Sequence, residues 1–135
     1  MDENGNLQGW AHGVIGEQID TASEALASYC KHPHSAKHLH RARKGLAHLR
    51  AALQDLGTLA GATPEFFDRI NELHRRAGKV RDADVLLARI DEYHSDAAAP
   101  ECKELAVLRA SLRRRRKRAR RKLQRAVSDL PDLRS

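Results

Sequence analysis

Between Leu39 and Leu56 the apolar residues Leu39, Ala42, Leu46, Leu49, Leu53 and Leu56 alternate steps of three and four for about two and a half heptads. Only an α-helix gathers such positions on one face; a strand would scatter them over two. A leucine stripe of this kind is the packing seam of an antiparallel helical bundle. Ala and Leu dominate the apolar residues, only five residues are aromatic, and Arg and Lys are abundant. These are the strongest helix formers, so composition points to an all-α chain as well.

The breaks predict four helices. The first runs from about Leu7 to Cys30, with Ile15, Ile19, Ala22, Leu26 and Tyr29 at helical spacing, and stops at Pro33. The second opens on Ser35 as N-cap and ends at Leu56, before Gly57. Thr63 and Pro64 start the third, which runs to about His94 with Gly78 as a candidate kink. The fourth spans about residues 100 to 130 and ends at Pro131. A chain of 135 residues is expected to form one domain, here residues 7–130, with 1–6 and 131–135 frayed.

Charge is unevenly spread. Residues 1–30 hold five acids and no Lys or Arg; residues 31–60 hold six Lys/Arg against Asp55. Residues 61–98 are near balance, with six basic and eight acidic groups, and residues 99–135 carry thirteen Lys/Arg against four acids. Two basic segments in one chain point to an anionic partner. Beside the leucine seam, Lys37, His40, Arg43, Lys44, Arg50 and Gln54 fall within an arc of about 140° on a straight helix. In the fourth helix, nine of the ten residues 113–122 are basic. Its apolar seam is Leu105, Leu108, Leu112, Ala119, Leu123, Ala126 and Leu130. Between Leu112 and Ala119 an apolar residue is due at 115 or 116, and both are Arg. Burying an unpaired guanidinium is costly, so something other than a dry core must face those side chains. The plain alternative for both stretches is a solvated face.

Two stretches resemble the CHAD family, the conserved histidine α-helical domains. HLHRARKGLAHLRAAL (38–53) is similar to the family's histidine-and-arginine helix through His40, Arg43, Lys44 and Arg50. AGKVRDADVLLARI (77–90) is similar to its second motif through Gly78, Arg81, Asp82, Asp84 and Val85. The resemblance implies four long antiparallel helices in a single four-helix unit, half of a typical member, which a homodimer would complete. It also implies binding of inorganic polyphosphate or related phosphate-type anions, without catalysis. The chain departs from the family pattern at Gly45, Ala47 and His48, where members usually carry more basic residues.

The expected polyphosphate-binding residues are Lys37, His40, Arg43, Lys44, Arg50, Arg81, Arg109, Arg113, Arg116, Lys117 and Arg120. Polyphosphate is a flexible line of charge, and Arg and Lys repeated along helices supply a matching line of donors. The basic flanks of the second and fourth helices are expected to meet in a common groove. Asp82 and Asp84 are read as partners that position arginine. The alternative partner is nucleic acid, held by the run 113–122, although so few aromatics speak against sequence-specific RNA recognition. A third reading is a scaffold that docks acidic proteins. No P-loop, nucleophile constellation or two-metal carboxylate cluster points to an enzyme. Five of the eight histidines lie between 32 and 48, but their spacing does not suit a metal, and no cofactor is expected. Cys30 and Cys102 have neither disulfide nor zinc spacing. No segment approaches the roughly 20 apolar residues of a membrane span, and the acidic start MDENGNLQGW does not resemble a secretory signal. The expected place is the cytoplasm, with polyphosphate or storage granules.

Overall fold

The computed structural model describes residues 3–96 and 103–129, all of them in helices or the short connections between helices. The helices are α1 (Glu3–Lys31), α2 (Ala36–Ala60), α3 (Pro64–Asp96) and α4 (Lys103–Asp129), each packed on the next in chain order. The all-α expectation is met. Leu130, Pro131 and Cys102, with most of the expected break between the third and fourth helices, lie outside the described residues.

Local chemistry sets the ends. At the end of α1, the His32 N–H donates to the carbonyls of Ser28 (3.1 Å) and Tyr29 (2.9 Å), and Pro33 follows. Ser35 caps α2, its Oγ accepting from the His38 N–H at 3.3 Å. Thr63 caps α3 in the same way, accepting from the Phe66 N–H at 3.2 Å. The end of α2 differs from expectation. Gly57 is an interior, buried helix residue, and the helix continues to Ala60. Gly61 supplies the stop: its φ of 78° is left-handed, which only glycine adopts without strain. Its N–H and that of Ala62 cap the Thr58 and Gly57 carbonyls. α3 passes through Gly78 as one helix.

The core is built mainly by three helices. Ile15, Ala22, Leu26 and Tyr29 of α1 meet Leu39, Ala42, Leu46, Leu49 and Leu53 of α2, and Ile70, Leu73, Ala77 and Val80 of α3. Gly45 lets α1 and α2 approach closely, since a Cβ there would stand 3.2 Å from the Ala22 Cα. Among the described residues of α4, Leu123 joins this buried cluster, with Ala119, Ala126 and Val127 packed against it. Leu112 is buried as well, but Leu108 is 49% exposed, so the fourth seam is only partly core. Trp10, 57% exposed, is also not a core residue.

Candidate functional site

Where α4 lies along α3, cross-helix contacts set the register. Arg109 pairs with Asp91 at 3.3 Å and Arg116 with Asp84 at 3.4 Å, and Arg76 Nη1 donates to the Lys122 carbonyl at 3.4 Å. The missing apolar residue at 115 or 116 is thereby resolved. Arg116 turns inward, half-buried, onto a carboxylate that α3 supplies. Arg115 points away, into a groove. Asp84 thus has the arginine-positioning role expected of it.

That groove, about 940 Å³, runs between α3 and α4. Arg69, Arg75, Arg76 and Lys79 of α3 face Arg115, Arg118, Lys122 and Arg125 of α4 across it. Eight cations therefore line it against two acids, Glu72 and Asp82. Glu72 is engaged locally: its carboxylate accepts from Arg75 (2.7 and 3.0 Å) and from Arg76 Nε (2.9 Å). Those bonds hold the Glu72 carboxyl far below its ordinary range, at about 2.

On the other flank of α3 lies the α2 stripe. Arg43 and Arg50 are half-buried there, whereas Lys37, His40 and Lys44 are exposed. The guanidinium pKa of Arg43 is lowered by burial and by Arg81, with Asp82 pulling the other way. His74 of α3 is held below the usual histidine range by burial, then by Arg50 and Arg43. The Nε atoms of Arg43 and Arg50 are buried without a hydrogen-bond partner. Such groups are destabilising unless a ligand or water satisfies them.

A third cationic position lies inside the bundle. Tyr29 of α1 is fully buried, and burial pushes its hydroxyl up to about 12, with Arg120 opposing the rise. Arg120 is close enough for that, yet Tyr29 Oη and Arg120 Nε do not form a hydrogen bond of good geometry.

The family model for the CHAD domain matches residues 13–133 of the 135-residue chain. The chain belongs to the CHAD family. No curated protein and no solved structure matches it. The two stretches that carry the CHAD resemblance face each other in the fold, since Arg43 of the first feels Arg81 and Asp82 of the second.

The expected binding residues are therefore spread over three places. Arg43 and Arg50 lie at the α2–α3 contact with Arg81 and His74, while Lys37, His40 and Lys44 are exposed along α2. Arg109, Arg116 and Arg120 turn inward, the first two onto α3 carboxylates. Arg113 and Lys117 are exposed on α4 and do not line the groove. Among the described residues this groove is not the one expected between α2 and α4, since none of its lining residues belongs to α2. Sequence reasoning missed Arg69, Arg75, Arg76 and Lys79 altogether, and in α4 it did not separate Arg115, Arg118, Lys122 and Arg125 from their neighbours. Their spacing was a usable signal: Arg69, Arg76 and Lys79, with Arg75 beside them, share one face of α3, as 115, 118, 122 and 125 do of α4. Among the described residues no cluster of His, Cys, Asp and Glu could hold a metal ion. No described helix is long and apolar enough to cross a membrane.

Proposed function

We propose that this CHAD protein binds inorganic polyphosphate and performs no chemistry on it. The observation that carries the reading is the α3–α4 groove, where eight Lys and Arg side chains line one trough against two acids. A flexible polyanion needs donors in a row, and the two facing helices supply two such rows, each advancing about 1.5 Å along its helix axis per residue. The α2 stripe with Arg81 extends the cationic surface round α3, so one chain of phosphates can engage Lys37, His40, Arg43, Lys44 and Arg50 as well. In this reading Arg113 and Lys117 add to the outer field of α4. Arg109 and Arg116 anchor α4 in position, and Arg120 is an inner donor.

The same reading includes a homodimer that restores the two-unit arrangement of the family, and a place with polyphosphate granules in the cytoplasm. Sedimentation tests the first, and imaging of a tagged chain against a polyphosphate stain tests the second. The central test is titration with long-chain polyphosphate, DNA and RNA at matched ionic strength, with competition in both directions. Polyphosphate is expected to hold its place, with affinity falling steeply as salt rises. Displacement by nucleic acid at equal phosphate concentration would overturn the reading in favour of a nucleic-acid binder.

A further inference from the structure

Glu72 is one of the two acids that line the basic groove. Glu72 stands three and four residues before Arg75 and Arg76, the spacing and order at which a helix brings a carboxylate and a guanidinium together. Its two oxygens accept three hydrogen bonds: Arg75 Nη2 donates to Oε1 at 2.7 Å, Arg75 Nε to Oε2 at 3.0 Å and Arg76 Nε to Oε1 at 2.9 Å. The first two form the parallel fork that arginine also offers to phosphate. All three residues line the groove, and the Arg76 guanidinium is held there by its second bond to the Lys122 carbonyl. A carboxylate and a phosphate edge thus compete for the same donors.

We propose that Glu72 is a built-in competitor for the groove: its carboxylate takes the Arg75 fork and the Arg76 Nε–H, and a phosphate chain must displace it to bind. This rests on the polyphosphate reading and deepens it, by naming the residue that sets the groove's affinity. Because the carboxyl titrates at about 2, the competitor stays charged at every pH a cell reaches. The brake is therefore constant and limits occupancy to ligands with several phosphates in a row. A single phosphate gains too few contacts to repay the displaced carboxylate, whereas a chain also meets Arg115, Arg118 and Lys122 across the groove.

The test is calorimetric titration of the full chain with tripolyphosphate and with long-chain polyphosphate, comparing wild type, Glu72→Gln and Glu17→Gln. Glu17 is an exposed residue of α1 that does not line the groove, so its variant makes the same change in net charge at a distance. Glu72→Gln is expected to bind about three- to tenfold more tightly, and Glu17→Gln to change affinity by less than about twofold. Binding by Glu72→Gln where wild type shows none would support the proposal still more strongly. Equal gains in both variants would reduce the effect to net charge and overturn it. Unchanged or weakened binding by Glu72→Gln, with wild type binding well, would also overturn it while leaving the polyphosphate reading intact. No binding by either protein would end both. As a second readout, the Arg75 and Arg76 Nε–H resonances should shift together on adding tripolyphosphate to wild type.

Discussion

Helices α2 and α4 are both amphipathic and both basic, yet they use arginine in opposite ways. α2 buries Leu39, Leu46, Leu49 and Leu53 and carries Arg43 and Arg50 on the shoulder of that seam. α4 buries Leu112 and Leu123, about three turns apart, and places Arg116 on the inner side between them. The first helix is held by packing, and its charge is an edge. The second is held partly by ion pairs to Asp84 and Asp91, and its charge is most of its surface. Core formation and anion display are thus divided between helices, and α3 serves both by packing on α2 with one flank and lining the groove with the other.

The largest expected effect tests that division directly. Leu46→Ala should cost about 2–5 kcal/mol, because a fully buried leucine leaves a cavity that the tight α1–α2 contact at Gly45 cannot close. Leu108→Ala, the same change at a half-exposed site on α4, should cost less than about 0.5 kcal/mol. Urea unfolding of both variants gives the comparison. Equal losses would mean that α4 packs as a core helix, with a second copy covering Leu108.

Next in size is the contrast between the two cationic surfaces. Replacing Arg118, Lys122 and Arg125 by Gln should weaken long-chain polyphosphate binding about tenfold or more at low salt, and should flatten the salt dependence by about two units of slope. Replacing Lys37, His40 and Lys44 by Gln should weaken it only about threefold, because these side chains stand on an open face, not in a trough. Titrations at several ionic strengths decide the matter. The reverse ranking would place the principal site on α2.

That contrast also shows what was legible in the residues alone. The α2 seam, the Ser35 and Thr63 caps and the four helices follow from periodicity and capping chemistry, which are local. The stop at Gly61 was missed because Gly57, four residues earlier, offered an equally good local signal; burial of that glycine against Leu53 and Ala62 decided between them. Within 113–122 nearly every position is basic, so periodicity has no contrast from which to tell Arg116, inward, from Arg115, in the groove. The α3 cations were hidden differently. Residues 61–98 are near balance overall, but Asp84 and Asp91 face Arg116 and Arg109 of α4, and Glu72 is bound to its own helix. Net charge per segment cannot show such sorting, because tertiary packing does it.

A smaller effect concerns how α4 is held. The Arg116–Asp84 pair is half-buried, with side chains 30% and 27% exposed, so its coupling should be about 1 kcal/mol. A double-mutant cycle with Arg116→Gln and Asp84→Asn measures it by thermal unfolding. Each single variant should lose more than the pair is worth, since the residue left behind keeps a half-buried unpaired charge. Coupling near zero would mean that this pair does not help to hold α4, leaving Leu112, Leu123 and the remaining cross-helix contacts to do so.

The smallest effect separates the two surfaces by pH. His74 faces Arg50 and Arg43 on the α2–α3 side, and burial with those two charges lowers its pKa from 6.5. A group whose folded pKa is depressed contributes fully above its unfolded value. Stability should therefore decline as pH falls from about 6.5 towards the folded pKa, because the unfolded chain binds the proton first. Phosphate lying against Arg43 and Arg50 cancels part of their field and raises the His74 pKa, so a fraction of a proton enters with the ligand. Affinity for long-chain polyphosphate should then rise about two- to fivefold between pH 7.5 and 5.5, and His74→Gln should flatten that rise while binding similarly at pH 7.5. In the α3–α4 groove Glu72 titrates at about 2 and stays charged throughout this window. The part of the pH dependence that His74→Gln removes therefore reports on the α2–α3 face alone. An unchanged profile in the variant would show that phosphate does not reach Arg43 and Arg50, leaving the groove as the whole site.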